Sequence, residues 1–187
     1  RQRLAMAAAK ISSRERILEA AEALAHEVGP GHMSLDAVAQ RAGVSKGGLL
    51  YNFPSKAKLL EALVEHHLEQ FEAAFAASPA ARSGKANASA AAFLEIATIE
   101  IRKKAKPPAA GVLAAFVENP DLLKPARTVG RRLIDRIKAD ADDADLALVG
   151  YLALEGMRCL PLLDLDVLSE REREAALGAM ARLIEPA

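Results

Sequence analysis

The chain has no tryptophan, and its aromatic content is five phenylalanines and two tyrosines. Its core therefore has to be filled by aliphatic side chains. The single cysteine, Cys159, excludes an internal disulfide and fits a reducing cytosol. Apolar runs stop far short of the length that crosses a bilayer, and no secretory signal is visible. A cytoplasmic protein with no membrane partner is the expectation. Because the chain opens on Arg1 and not on methionine, an upstream segment is expected. No phosphate-cradling loop, Ser/His/Asp arrangement or paired-carboxylate motif stands out, so neither an enzyme nor a cofactor is expected. His66 and His67 adjoin Glu65, with Glu61 and Glu69 within reach along a helix. A metal site needs ligands from several elements, so these histidines read as solvated surface and no metal is expected.

Net charge is also missing, with 25 basic against 25 acidic residues, which at first sight argues against a nucleic-acid partner. The distribution argues the other way. Residues 1–58 hold nine Lys/Arg and five Asp/Glu, a balance of +4, while the remainder holds sixteen and twenty, a balance of −4. A basic head on an acidic body suits a protein that meets phosphates with one end. With 187 residues, half of them apolar and rich in alanine and leucine, the chain is expected to be all-α.

The stretch that carries most information runs from Ser34 to Lys56, SLDAVAQRAGVSKGGLLYNFPSK. Leu35, Val38, Ala39 and Ala42 fall on one face of a helix. Gly43 stands where the chain reverses, since a residue without Cβ enters the left-handed region freely. Val44 plugs the corner, Ser34 and Ser45 are N-caps, and Pro54 ends the following helix after about two turns. Two short crossing helices joined through a glycine turn make a helix-turn-helix, whose second helix enters the DNA major groove.

Before this stretch, residues 1–11 form a basic extension, either disordered or an arm laying Arg1, Arg3 and Lys10 along phosphates. Ser12 and Glu15 make a capping box for a helix bearing Ile17, Ala21, Leu24, Ala25 and Val28, which stops at Gly29-Pro30-Gly31. After it, Ser55 starts a long helix with Leu60, Leu63, Val64, Phe71 and Phe75 on one side. Residues 78–90 read as a linker or loose helix end. Further helices are expected at 91–104, broken by Lys106-Pro107-Pro108, at 109–117, at 121–139 and at 146–163. A last one is boxed by Ser169 and Glu172. The 146–163 helix is apolar almost all round, so one face is expected on its own subunit and another on a partner copy. In it, Cys159 reads as a small buried hydrophobe. Glu155 and Arg158 either pair, with each other or across a dimer, or give a pocket its polar anchor.

Gly43-Val44-Ser45-Lys46-Gly47, Leu49 and Phe53-Pro54-Ser55-Lys56 resemble the helix-turn-helix signature of the TetR family of bacterial transcriptional regulators. The likeness extends from Ser13 to Leu68 and includes Arg16-Ile17-Leu18-Glu19-Ala20-Ala21. It implies a three-helix DNA-binding head, expected over 1–54. A helical body over 55–187 would hold a small-molecule pocket and the homodimer contact, for about nine helices in all. From their places on the helices, Ser34, Arg41, Ser45, Lys46, Gly47, Gly48, Tyr51 and Asn52 are candidate DNA contacts, and Lys56 is one by its likeness to the family's phosphate-contacting lysine. Lys46 would reach a base edge or phosphate, and Lys56 a phosphate. Tyr51 would contact DNA or else pack on the first helix, and Gly47 and Gly48 would admit the backbone to DNA or serve packing. The sequence departs from the family pattern at Gly48, where threonine is frequent, at Leu50, where tyrosine is usual, and at Asn52, where histidine or tyrosine is frequent. Pocket candidates by spacing and chemistry are Phe93, Phe116, Tyr151, Glu155 and Met157. The expected function is a ligand-responsive repressor that binds a near-palindromic double-stranded DNA operator as a homodimer and is released by a small-molecule effector. The alternative is a helical small-molecule binding or interaction protein with a weakened head.

Overall fold

The computed structural model describes residues 12–28, 33–102, 119–163 and 165–184. The N-terminal arm, the Gly29-Pro30-Gly31 stop, the expected helix at 109–117 and Phe116 lie outside them. The described residues form eight α-helices and two short 3-10 turns, with no strand among them. The helices are α1 (Ser13–Val28), α2 (Leu35–Ala42), α3 (Lys46–Asn52), α4 (Lys56–Ala77), α5 (Ala88–Arg102), α6 (Lys124–Asp140), α7 (Ala144–Cys159) and α8 (Glu170–Ile184). The 3-10 turns, Pro120–Leu123 and Leu160–Leu163, precede α6 and follow α7.

Local chemistry sets most of these boundaries. Ser12 and Glu15 exchange backbone N–H bonds at the start of α1, and Ser169 and Glu172 do so at the start of α8. Ser34, Ser45 and Ser55 each accept an N–H from the first turn of α2, α3 and α4. Gly43 closes α2 at φ 64°, and its N–H is donated to the carbonyl of Gln40.

Two apolar clusters organise the chain. The first joins α1, α2 and α3 to the beginning of α4 through Ile17, Leu18, Ala21, Val38, Leu49, Phe53, Leu59, Leu60, Leu63 and Val64. The second joins the end of α4 to α5, α6, α7 and α8 through Phe75, Phe93, Ala97, Leu133, Ile137, Leu154, Met157, Leu177 and Ile184. Leu122, Leu123 and Ala126, at the entrance to α6, pack on the first cluster although α6 belongs mostly to the second.

Residues 78–90 are not a loose linker. Asn87, in the left-handed region at φ 61°, donates its backbone N–H to the Asp140 carbonyl at 2.8 Å and its amide to Asp142 at 3.0 Å. Ser89 donates both its N–H and its hydroxyl to one carboxylate oxygen of Asp140. These bonds lock the start of α5 to the corner between α6 and α7, so α5 begins at Ala88. In the 121–139 segment, the first turn is a separate 3-10 element capped by Asn119, and the α-helix proper starts at Lys124. Cys159 is exposed and not buried, because the inward positions of α7 belong to Gly150, Leu154 and Met157.

Candidate nucleic-acid interface and small-molecule cavity

The first face of interest is built by α2 and α3. Their N-termini lie side by side, since Lys46 at the start of α3 reaches Asp36 in the first turn of α2, with Nζ 2.9 Å from Oδ1. Around this junction Ser34, Ser45 and Gly47 are exposed. Leu49 turns inward and is fully buried, whereas Tyr51, two residues on, is 90% exposed. A phenol projecting from an otherwise anchored helix is free to meet a partner and does not pack on α1. Arg41, at the far end of α2, makes a two-point ion pair with Glu27 of α1, with Nη2 2.7 Å from Oε1. The Glu27 hydrogen bond holds the guanidinium pKa above its ordinary value, and Glu27 is correspondingly held below its own. Asn52 donates its amide N–H to the Gly48 carbonyl at 2.8 Å, so this donor is committed to its own helix. Lys56 is half-buried in the first turn of α4.

The two glycines of α3 differ. A Cβ at Gly47 would meet nothing nearer than the Ser45 hydroxyl at 4.0 Å. At Gly48 the same hydroxyl would lie at 3.2 Å, and that hydroxyl caps the helix by accepting the Gly48 N–H. Packing therefore accounts for the second glycine and not for the first.

The second site is a half-open cavity of about 240 Å³ among α4, α5, α6 and α7. Its aromatic wall runs from Phe71 to Phe93, edge to face at 6.3 Å, and on to Tyr151 at 5.2 Å. Leu68, Ala126, Val129 and Leu133 add aliphatic surface. The polar wall is a three-residue ion-pair group. Arg158 donates from Nε to Glu100 at 2.7 Å and from Nη1 to Glu155 at 2.6 Å, with its guanidinium carbon 5.7 Å from the centre of the Phe93 ring. Burial raises the pKa of the Tyr151 phenol, and the Glu155 carboxylate adds to the shift.

Phe93, Tyr151 and Glu155 all line this cavity, whereas Met157 does not. Two residues beyond Glu155 on a helix is about 200° around the axis, so Met157 turns into the second core cluster. His67 corrects a second expectation. It is a wall residue of the cavity and not solvated surface, with its pKa lowered first by burial and then by Arg158. It also lines a second cavity, between α1 and α4. Glu100 joins the ion-pair group from α5, 58 residues away from Arg158.

The head with its turn glycine and capped helices, joined to a helical body with a polar-walled cavity, is the plan of a bacterial DNA-binding regulator. Residues 17–63 match the family model for bacterial regulatory proteins of the tetR family, and residues 87–185 match that for the tetracyclin repressor-like C-terminal domain. With more than half of its length matched by the latter alone, the chain belongs to the TetR family of bacterial transcriptional regulators. Solved structures agree in fold. The multidrug binding protein EbrR complexed with ethidium is 25% identical, with 93% of this chain and 99% of that chain covered and a TM-score of 0.62. EbrR complexed with malachite green is 24% identical, covering 92% and 98%, with a TM-score of 0.64. A TetR-like transcriptional regulator from Rhodococcus sp. RHA1 is 18% identical, covering 94% of each chain, with a TM-score of 0.68. A comparison with curated protein sequences finds no match. No described helix is long and apolar enough to cross a membrane.

Proposed function

We propose that the protein is a ligand-responsive repressor. Two heads of a homodimer enter successive major grooves of a near-palindromic operator, and a small molecule in the body cavity releases them. The observation that carries this reading is the continuity of α4 and α6. The first half of α4, Leu59–Val64, sits in the head core, and its next turns supply His67, Leu68 and Phe71 to the cavity. At its entrance α6 packs Ala126 on the head core, and from Ala126 to Leu133 it lines the cavity. A ligand that favours one arrangement of these two helices also favours one spacing of the heads, by no more than its difference in affinity for the two states. The likeness to EbrR, whose solved structures hold ethidium and malachite green, supports a small-molecule effector.

In this reading the head spans 1–54 and the body 55–187, and the protein works in the cytoplasm without enzymatic activity. Lys46, Tyr51 and Asn52 meet DNA on α3, the last through the part of its amide not held by Gly48. Ser34, Arg41, Ser45 and Lys56 bind phosphate, with Gly47 and Gly48 admitting the backbone. The dimer forms through α7 and α8, where Val149 and Leu152 are 56% and 59% exposed on the outer face of α7. A second reading, a small-molecule binder with a weakened head, draws on the pairing of Arg41 with Glu27, Lys46 with Asp36, and Asn52 with its own helix. Footprinting on the DNA upstream of its own gene separates the two. The repressor reading expects two protected half-sites about one helical turn apart; no protection at low salt supports the weakened head.

A further inference from the structure

Among the described residues, the wall of the body cavity carries more negative than positive charge. Of these, Glu100 and Glu155 contribute two carboxylates and Arg158 one guanidinium, all three half-buried. Burial works against the charge on Arg158, but Glu155 and Glu100 offset it and hold the guanidinium protonated. His67 does not restore the balance, because burial and the nearby Arg158 lower its pKa and leave it neutral at pH 7. Two carboxylates against one guanidinium leave a surplus of one negative charge. In a partly desolvated wall that charge acts several times more strongly than in water.

The same wall displays how a flat cation is held. The Arg158 guanidinium lies over the Phe93 ring with a carboxylate on either side, and Tyr151 extends the aromatic surface at 5.2 Å from Phe93. A dry cavity of about 150 Å³ holds one benzene ring, so the cavity of about 240 Å³ here seats one or two rings of a guest.

We propose that the cavity's occupant is a small planar organic cation of one or two rings. Its ammonium or amidinium group pairs with the surplus carboxylate charge of Glu100 and Glu155, and its ring packs on Phe93 and Tyr151. This rests on reading the cavity as the effector site, and it adds the chemical class of the effector.

Three probes of one shape and different charge test it by calorimetric titration: benzamidine, benzamide and benzoate. Benzamidine is expected to bind at least about tenfold more tightly than benzamide, and benzoate least well. Glu155→Gln and Glu100→Gln each remove the surplus charge. Each is expected to bring benzamidine to within about threefold of benzamide while leaving benzamide unchanged. Thermal melts report whether either variant has lost its fold, and the wild-type series stands without them. Equal binding of the three probes, or a preference for benzoate through Arg158, overturns the cation assignment and leaves the effector cavity standing. If none of the three binds, the cation assignment falls. Benzamidine that binds with the expected preference but does not release DNA upholds the assignment and removes the effector role instead.

Discussion

Glu27 is the residue whose substitution tests whether Arg41 meets a DNA phosphate. In the free protein both of its carboxylate oxygens hold Arg41, and both partners are exposed, at 54% and 39% of their side-chain surface. If Arg41 binds a phosphate, Glu27 is beside that phosphate, and the local net charge delivered to DNA is zero. Glu27→Gln keeps the shape and restores one positive charge per head. Each phosphate neutralised adds about 0.9 to the salt slope of binding, so two heads add about 1.8. Raising salt from 50 to 200 mM would then weaken the variant by about tenfold more than the wild type, with the variant the tighter binder at the low end. Anisotropy titrations of both proteins on one duplex at several salt concentrations measure the two slopes. Parallel slopes would show that Arg41 is a strut between α1 and α2 and remove it from the DNA contacts.

Three other outcomes follow from the geometry. Gly47→Ala places its Cβ in open space and should stabilise the protein by up to about 1 kcal/mol. Gly48→Ala crowds the capping hydroxyl of Ser45, worth about 1 kcal/mol, and should gain little or nothing; equal shifts in urea midpoint would contradict this. For His67, whose pKa is depressed in the fold, the unfolded chain takes up the proton first as pH falls through the ordinary value of about 6.5. Its contribution to stability is therefore present above that pH and lost below it. His67→Gln should lose less stability between pH 7.5 and 5.5 than the wild type, and an unchanged difference in urea midpoints would refute the burial argument. Leu152→Arg, on the exposed face of α7, should give a folded monomer by sedimentation with its helical circular dichroism intact. A surviving dimer would place the contact elsewhere.

How much of this was legible in the sequence depended on how local the signal was. The caps at Ser12, Ser34, Ser45, Ser55 and Ser169, the reversal at Gly43 and the inward Leu49 are properties of four to ten consecutive residues, and each stands as read. The tie of Asn87 and Ser89 to Asp140 and Asp142 spans more than fifty residues, and no periodicity marks it. Glu100 joins Arg158 over a similar distance, so the pairing within α7 was visible and its third member was not. His67 looked like surface because its neighbours in sequence are charged; only the packing of α5 and α6 against α4, with α7 across the cavity, turns it into a cavity wall. Met157 failed for a simpler reason. Choosing cavity residues by chemistry on an all-apolar helix does not decide which side of the helix faces the cavity.

The DNA-binding role proposed for the α2–α3 face rests on contacts by Lys46 and Tyr51. Its most direct test is an anisotropy titration of wild type and the Lys46→Ala/Tyr51→Ala double variant on a labelled duplex from the protein's own upstream region. The expected result is saturable, salt-dependent binding by the wild type, weakened by at least about tenfold in the double variant, since a single good side-chain contact to DNA is worth about 1–3 kcal/mol. A double variant that binds as tightly as the wild type would contradict it.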